Sequence, residues 1–365
     1  MSLSVGIIGL PNVGKSTIFN ALTEAKVASE NYPFCTIDPN HGIVQVPDKR
    51  IEQINSYIET EKIIYNSIEF VDIAGLVKGA STGEGLGNKF LSQIRNVDAI
   101  IHVVRCFDSK DITHVDGDVN PVRDIETINT ELILKDIESI DKRINNVTKI
   151  AKSGDKNAKT ELDLLNKINN HLNEGDLIIN LKLTDEEKVI LKSFALLTSK
   201  PMIFVANISD HDLMNENNNH SKALLEYATS KNKTVVELSG SIEMEIAGID
   251  KEDQLEFLKE YGLEESGLNK MIRSAYKILN LETFFTAGPK EIRAWSIPKG
   301  ASAPNAAGVI HTDFERGFIK AEVIDFDDYI NNKGELGAKE NGKLRLEGKD
   351  YLVKDGDVIH FKFNV

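Results

Sequence analysis

"GLPNVGKSTIFNAL", residues 9–22, follows directly on the apolar run Val5–Ile8 and decides how the rest of the chain is read. It satisfies G-x-x-x-x-G-K-[ST] from Gly9 through Gly14 and Lys15 to Ser16, with a strand pattern before it and a helical pattern after it. Glycines at those places let successive backbone N–H groups turn inward onto phosphate oxygens, and a helix N-terminus adds positive potential. Asn12, Val13 and Gly14 thus wall a phosphate cradle. Lys15 reaches the β- and γ-phosphates as a point charge, the Ser16 hydroxyl takes a place on Mg²⁺, and Thr17 is positioned for the α-phosphate.

Working outward, short apolar runs alternate with longer helical patterns. The runs are Val5–Ile8, Gly42–Val46, Ile68–Val71, Ile100–Val104, Met202–Ala206 and Thr234–Leu238. Several are rich in β-branched residues, which suits strands buried on both faces of a parallel sheet, and the alternation is that of a doubly wound α/β domain. Between Pro121 and Lys200 the pattern changes. Ile125, Ile128, Leu132, Ile137, Ile140, Ile144, Val147 and Ile150 recur mostly at three- and four-residue spacing, and Leu162, Leu165, Ile168 and Leu172 repeat it beyond "SGDKN" at 153–157. That reads as two long antiparallel helices forming a short coiled-coil arm, the plainer alternative being an ordinary packed pair. The last stretch carries turn formers and short strand-like segments, ending in "KDYLVKDGDVIHFKFNV", residues 349–365, read as strand, turn and strand. The expected division is a nucleotide domain at 1–122 and 200–282, a helical insertion at 123–199 and a small α+β domain at 283–365.

Composition agrees with a folded, soluble protein. Hydrophobic residues make up 41% of the 365, enough for a buried core, and the net charge is −14. Such a surface repels nucleic acid on average, so RNA contact requires a local patch. Cys35 and Cys106 are the only cysteines and make no metal spacing or disulfide framework, which fits a reducing compartment. No run approaches the ~18 apolar residues of a membrane span, and the chain passes from Met1 to a strand without a charged leader. The expectation is a cytoplasmic protein with no membrane partner.

Further motifs complete the phosphate site. "IEFVDIAG", residues 68–75, is an apolar strand ending in Asp72, placed to serve the metal, with Gly75 placed to offer its N–H to the γ-phosphate. Thr36, in "NYPFCTIDPN", is the natural second hydroxyl for Mg²⁺. Where signalling GTPases carry a glutamine that orients the attacking water, this chain has Leu76, which bonds to nothing. Either hydrolysis is slow or absent, or another group positions water. His114, in "DITHVDG", is a candidate, and a surface histidine without a role is the alternative.

Together "GLPNVGKST", "NYPFCTI", "DIAGLVKGASTGEGLGNKFL" and "HVVRCF" resemble the YchF family, the Obg-like ATPases of the translation-factor class of P-loop proteins. The stretches "FFTAGPKEIRAW" and "IHTDFERGFIKAEV" resemble that family's TGS domain, a small β-grasp module. The likeness spans essentially the whole chain. It implies a P-loop fold with a helical insertion and a β-grasp unit, a nucleotide hydrolase bound to ribosomes (the large subunit or the 70S particle), and a hydrophobic residue in place of the glutamine, matched by Leu76. The family's water-positioning histidine falls on His114. Asn12 matches the P-loop asparagine associated with potassium, which implies K⁺ stimulation.

Base choice stays divided. Guanine-specific relatives use N-K-x-D, and "FVANISDHD" places Asn207, Ile208, Ser209 and Asp210 there. The lysine is gone and the resembled family carries Glu where this chain keeps Asp210, a residue suited to guanine. Against guanine stand Ile208 and "LSGSIE", in which Ser239, Gly240 and Ser241 lack the lysine of S-A-K. ATP is therefore favoured, with Asn207 and nearby backbone groups meeting adenine, and dual ATP/GTP use is the alternative. Two further readings are a signalling-type GTPase and a ribosome or RNA adaptor with incidental turnover. RNA contact is expected through the arm and through Lys290, Arg293, Lys299, Arg316 and Lys320, interleaved with Trp295 and Phe318, although solvated charges and core aromatics explain those equally well. Redox sensing at Cys35 is a guess from its place beside Thr36.

Overall fold

The computed structural model describes residues 3–24, 40–75, 86–214 and 218–364. Thr36, Leu76 and Cys35 lie outside the described residues. In chain order the strands are β1 (Ser4–Ile8), β2 (His41–Gln45), β3 (Ile63–Ile64), β4 (Ser67–Asp72), β5 (Ala99–Arg105), β6 (Met202–Asn207), β7 (Val235–Leu238), β8 (Leu281–Ala287), β9 (Ile292–Pro298), β10 (Phe318–Ile324), β11 (Arg345–Glu347) and β12 (Val358–Phe363). Two compact units emerge: residues 1–44 with 69–275, and residues 45–68 with 276–365.

The first unit holds a six-stranded sheet in the order β2-β4-β1-β5-β6-β7. β1 pairs in parallel with β4 and β5, β5 with β6, and β6 with β7. Every residue of β1, β5 and β6 is buried, which is why these runs read as continuously apolar rather than alternating. All six runs singled out in the sequence overlap these strands. This is a doubly wound α/β sheet whose strand ends at Ile8, Asp72 and Asn207 gather the chemistry at one edge, where ligands of such folds bind.

The arm begins with a 31-residue helix, Pro121–Ala151, capped by the Asn120 side chain on the Arg123 N–H and started by proline at its first position. It turns at 152–155, where Gly154 takes φ +96°, and returns as Lys156–Asn173, capped by Asp155. Ile140, Val147, Leu165, Ile168 and Leu172 form its apolar seam. The structure adds what the two-helix reading lacked: a helix at Asp185–Lys192 with a full capping box from Thr184 and Glu187. Ile190 and Leu191 pack against the same seam. Asp136, wholly buried on the long helix, accepts from the backbone N–H of Leu197 (2.9 Å) and Thr198 (2.8 Å) and from the Thr198 hydroxyl (2.7 Å).

The second unit is a mixed sheet, β11-β10-β12-β8-β9-β3, in which β8 and β12 lie side by side in parallel and β8–β9 and β10–β12 are antiparallel. That is a β-grasp arrangement. On one side Phe284, Ala321, Val323, Ile359 and Phe361 pack with the helix Ala303–Ile310. In another cluster Ile51 and Ile54, from the helix Lys49–Asn55, pack with Phe285, Ile292 and Tyr329. Residues 45–68, expected within the nucleotide domain, therefore fold with the C-terminal unit. The expected strand before the Lys-Asp-Gly-Asp turn is reduced to one bridge, Ser302 to Leu352. Tyr351 there bonds Asp357 Oδ2 at 2.7 Å through its hydroxyl instead of extending a ladder.

Candidate functional site

The P-loop backbone is held in the conformation a phosphate cradle needs. Asn12 and Gly14 take φ +61° and +94°. A Cβ added to Gly14 would sit 2.2 Å from Asn207 Nδ2, so the position has neither conformational nor steric room for a side chain. Asn207 explains the closeness. Its amide nitrogen donates to Val13 O (2.9 Å) and its oxygen accepts from Gly240 N–H (2.9 Å). Asn207 thus clasps the P-loop to the 239–241 loop, with both ends of its amide engaged in bracing the pocket. Ile208 is buried and its N–H bonds Leu238 O, while Ser16 and Thr17 stay exposed at the helix start.

Lys15 is only 8% exposed, and its ammonium donates to Leu10 O at 2.7 Å. Burial pulls its pKa down to about 8, with the Asp72 carboxylate working the other way. A Cβ on Gly75 would meet Lys15 Nζ at 3.0 Å, which puts the D-x-x-G glycine against the lysine head as the two motifs require. Asp72 takes the Ser16 hydroxyl at 3.4 Å on Oδ2, and its buried Oδ1 has no hydrogen-bond partner among the described residues. Burial pushes the Asp72 pKa up, offset in part by Lys15. A buried carboxylate oxygen without a partner among the described residues, beside a serine hydroxyl and the P-loop lysine, fits a hard divalent cation, and Mg²⁺ is the ion whose chemistry suits that oxygen set. His102, in the middle of β5, is 1% exposed, and burial, assisted by Lys15, lowers its pKa to about 3.

His114 is not a surface residue. It is 5% exposed, with Nε2 set 2.9 Å from Asp124 Oδ2 and Nδ1 accepting from the Asp116 N–H at 3.1 Å. Asp124, in the first turn of the long arm helix, was not among the sequence candidates. Its signal was a carboxylate inside an apolar stripe, next to the buried Ile125 and Ile128. Arg123 closes the cluster on Asp124 (3.2 Å) and Asp118 (2.7 Å). The loop is tied to the cradle through Asn12, whose Nδ2 donates to Thr113 O at 3.1 Å.

At the far side of the clasp, Asp210 opens the helix Asp210–Met214. Its Oδ1 accepts from the hydroxyls of both Ser239 and Ser241. Lys15, Ser16, Asp72 and Gly75 thus converge, as the motifs foretell. Asn207, Asp210 and Ser239, expected from the sequence to meet the base, gather around the 239–241 loop, and His114 lies beside the P-loop but turned into the protein.

Two family profiles match. One, described as "50S ribosome-binding GTPase", covers residues 4–167, and the other, for the C-terminal region of YchF GTPases and described as a protein of unknown function, covers 281–364. Proteins called "Ribosome-binding ATPase YchF" are similar over the full length of both chains: 54% identical in Pasteurella multocida, 53% in Escherichia coli O157:H7 and 52% in Bacillus subtilis. A solved structure, that of the YchF GTPase of Schizosaccharomyces pombe, matches with a TM-score of 0.90 at 38% identity, covering 99% of this chain and 98% of that one. Sequence, fold and site geometry agree, and the chain belongs to the YchF family of P-loop NTPases.

Proposed function

We propose that this protein is a ribosome-bound switch that binds ATP and hydrolyses it slowly to ADP and phosphate in the cytoplasm. The observation that carries the hydrolytic part is the convergence of Lys15, Gly75, Ser16 and Asp72, whose Oδ1 has no partner among the described residues, on one site. Ribosome binding rests on the names of the relatives, and the large subunit or the 70S particle is the expected form. The arm and the C-terminal unit, read as a TGS domain, are the expected RNA-contacting surfaces. Among the described residues no helix is long and apolar enough to cross a membrane.

Ser16 and Asp72, with Thr36, would hold Mg²⁺, which when bound neutralises charge on the β- and γ-phosphates. Lys15 binds the same phosphates, and Gly75 offers its N–H to the γ-phosphate. His114 is the water-positioning group in place of the glutamine. From its resting place it cannot act, since one ring nitrogen bonds Asp124 and the other accepts from a backbone N–H. Catalysis therefore requires the imidazole to leave Asp124, and slow basal turnover follows from that requirement. Asn12, which links the cradle to Thr113, is the residue through which K⁺ would stimulate turnover.

ATP is favoured because the 239–241 loop lacks a lysine and Asp210 Oδ1 is already bonded twice. A second reading, GTP or dual use, is favoured by the presence of an aspartate at that place. Titration of fluorescent ATP and GTP, followed by phosphate release with and without ribosomes and KCl, separates them. ATP tighter by about tenfold, or about 1.4 kcal/mol, supports the proposal. GTP equal or tighter, or no release of phosphate from either, overturns it.

A further inference from the structure

Ser239 occupies the N-cap position of the helix Gly240–Ala247, yet its side chain makes no capping bond. A serine there ordinarily accepts from an N–H of the first turn. Here its hydroxyl turns away and donates to Asp210 Oδ1. Ser241 donates to the same oxygen at 2.5 Å, and the two hydroxyl oxygens stand 2.9 Å apart. Ser239 is 1% exposed and fixed in place, whereas Ser241 is exposed and has no hydrogen-bond partners outside this cluster among the described residues.

A carboxylate oxygen offers about two lone-pair sites, so two hydroxyls fill Oδ1. Oδ2 has no hydrogen-bond partner among the described residues. Guanine presents two donors on one edge, N1–H and the N2 amine, and needs both oxygens of an aspartate to accept. Adenine has one donor on its Watson–Crick edge, the N6 amine at the place of guanine's O6 and next to an N1 acceptor, and a base seated with N6 toward Asp210 is served by Oδ2 alone. With one hydroxyl on Oδ1 a lone pair would remain for guanine's second donor, and with two hydroxyls none does.

We propose that Ser241 is a base-selecting residue: together with Ser239 it saturates Asp210 Oδ1, so that an aspartate otherwise suited to guanine accepts a single donor from the base. The inference rests on the reading of this pocket as the nucleotide base site. It accounts for how a chain that retains Asp210 can still discriminate against GTP.

The test compares Kd values of fluorescent ATP, GTP and ITP for the full-length protein and for Ser241→Ala and Ser241→Thr. Inosine keeps N1–H but lacks the N2 amine, so it reports one donor only. Ser241→Ala is expected to improve GTP binding relative to ATP by about tenfold, the scale of one hydrogen bond to a charged acceptor. ITP should improve relative to ATP by less than about threefold, and Ser241→Thr, which keeps the hydroxyl, should retain the wild-type ratios. A GTP-to-ATP ratio unchanged in Ser241→Ala, or an equal gain for ITP and GTP, overturns the proposal. The ATPase reading fails separately, if the wild-type protein itself prefers GTP, because the role of Ser241 is read from the change in ratio and not from its starting value.

Discussion

His114 Nε2 and Asp124 Oδ2 lie 2.9 Å apart, with side chains only 2% and 3% exposed. The histidine loop and the first turn of the arm are thereby joined by a buried polar contact. If this contact holds the imidazole in reserve, Asp124→Ala should raise basal phosphate release severalfold at saturating ATP, and His114→Ala should lower it by about a hundredfold, a common scale for such a group. Nucleotide Kd should stay within about threefold in both. Reduced turnover in Asp124→Ala would instead mean that the carboxylate orients the histidine for catalysis.

Lys15 gives a pH dependence of binding with a definite sign. Burial holds its pKa at about 8, and in the proposed site phosphate binding requires the charged ammonium. Above that pH nucleotide binding must take up a proton, so affinity falls by up to about tenfold per pH unit and is nearly flat below pH 7. Calorimetric titrations at pH 7 and 9, in buffers of different ionisation heat, should show close to one extra proton bound at the higher pH. No difference in proton uptake would place the Lys15 pKa well above 9.

Cys106 is fully buried at the end of β5, and burial, with Glu237 and Asp124 nearby, pushes its thiol pKa up. Thiolate is the reactive form, so this residue should resist thiol reagents in the native protein. Of the two cysteines, no more than one should react with Ellman's reagent before unfolding. Rapid labelling of a Cys35→Ser variant would contradict this.

Asp136→Ala should weaken the root of the arm. Two backbone N–H groups lose a buried acceptor, at a cost of about 3 kcal/mol. Hydrogen exchange should report it as lost protection at Leu197 and Thr198, with the ATP Kd little changed. Unaltered protection at those amides would show that water or a neighbour replaces the carboxylate.

The first unit's sheet was legible because buried parallel strands leave continuous apolar runs, as in Ile100–Val104. The convergence of Lys15, Ser16, Asp72 and Gly75 was legible because the chemistry their motifs encode fixes spacing along the chain. What escaped depends on contacts across the chain. Whether His114 is solvated depends on Asp124, ten residues away on another element, and no spacing rule links the two. The helix Lys49–Asn55 shows only Ile51 and Ile54 as its apolar face, too little to say which core receives them. Ser241 was visible as a missing lysine, but its hydroxyl's shared target on Asp210 is a matter of loop geometry.

The crossing of residues 45–68 into the C-terminal unit also has a consequence for synthesis. About 200 residues separate that segment from residue 276, where the rest of its unit begins. At about 5–20 residues per second, the helix bearing Ile51 and Ile54 leaves the translating ribosome roughly 10–40 s before the strands that will cover it. For that interval two wholly buried isoleucines of the finished protein face water. A chain cut short before β8 would keep them exposed for its lifetime, so the β-grasp unit is not a cassette that can be removed cleanly by truncation.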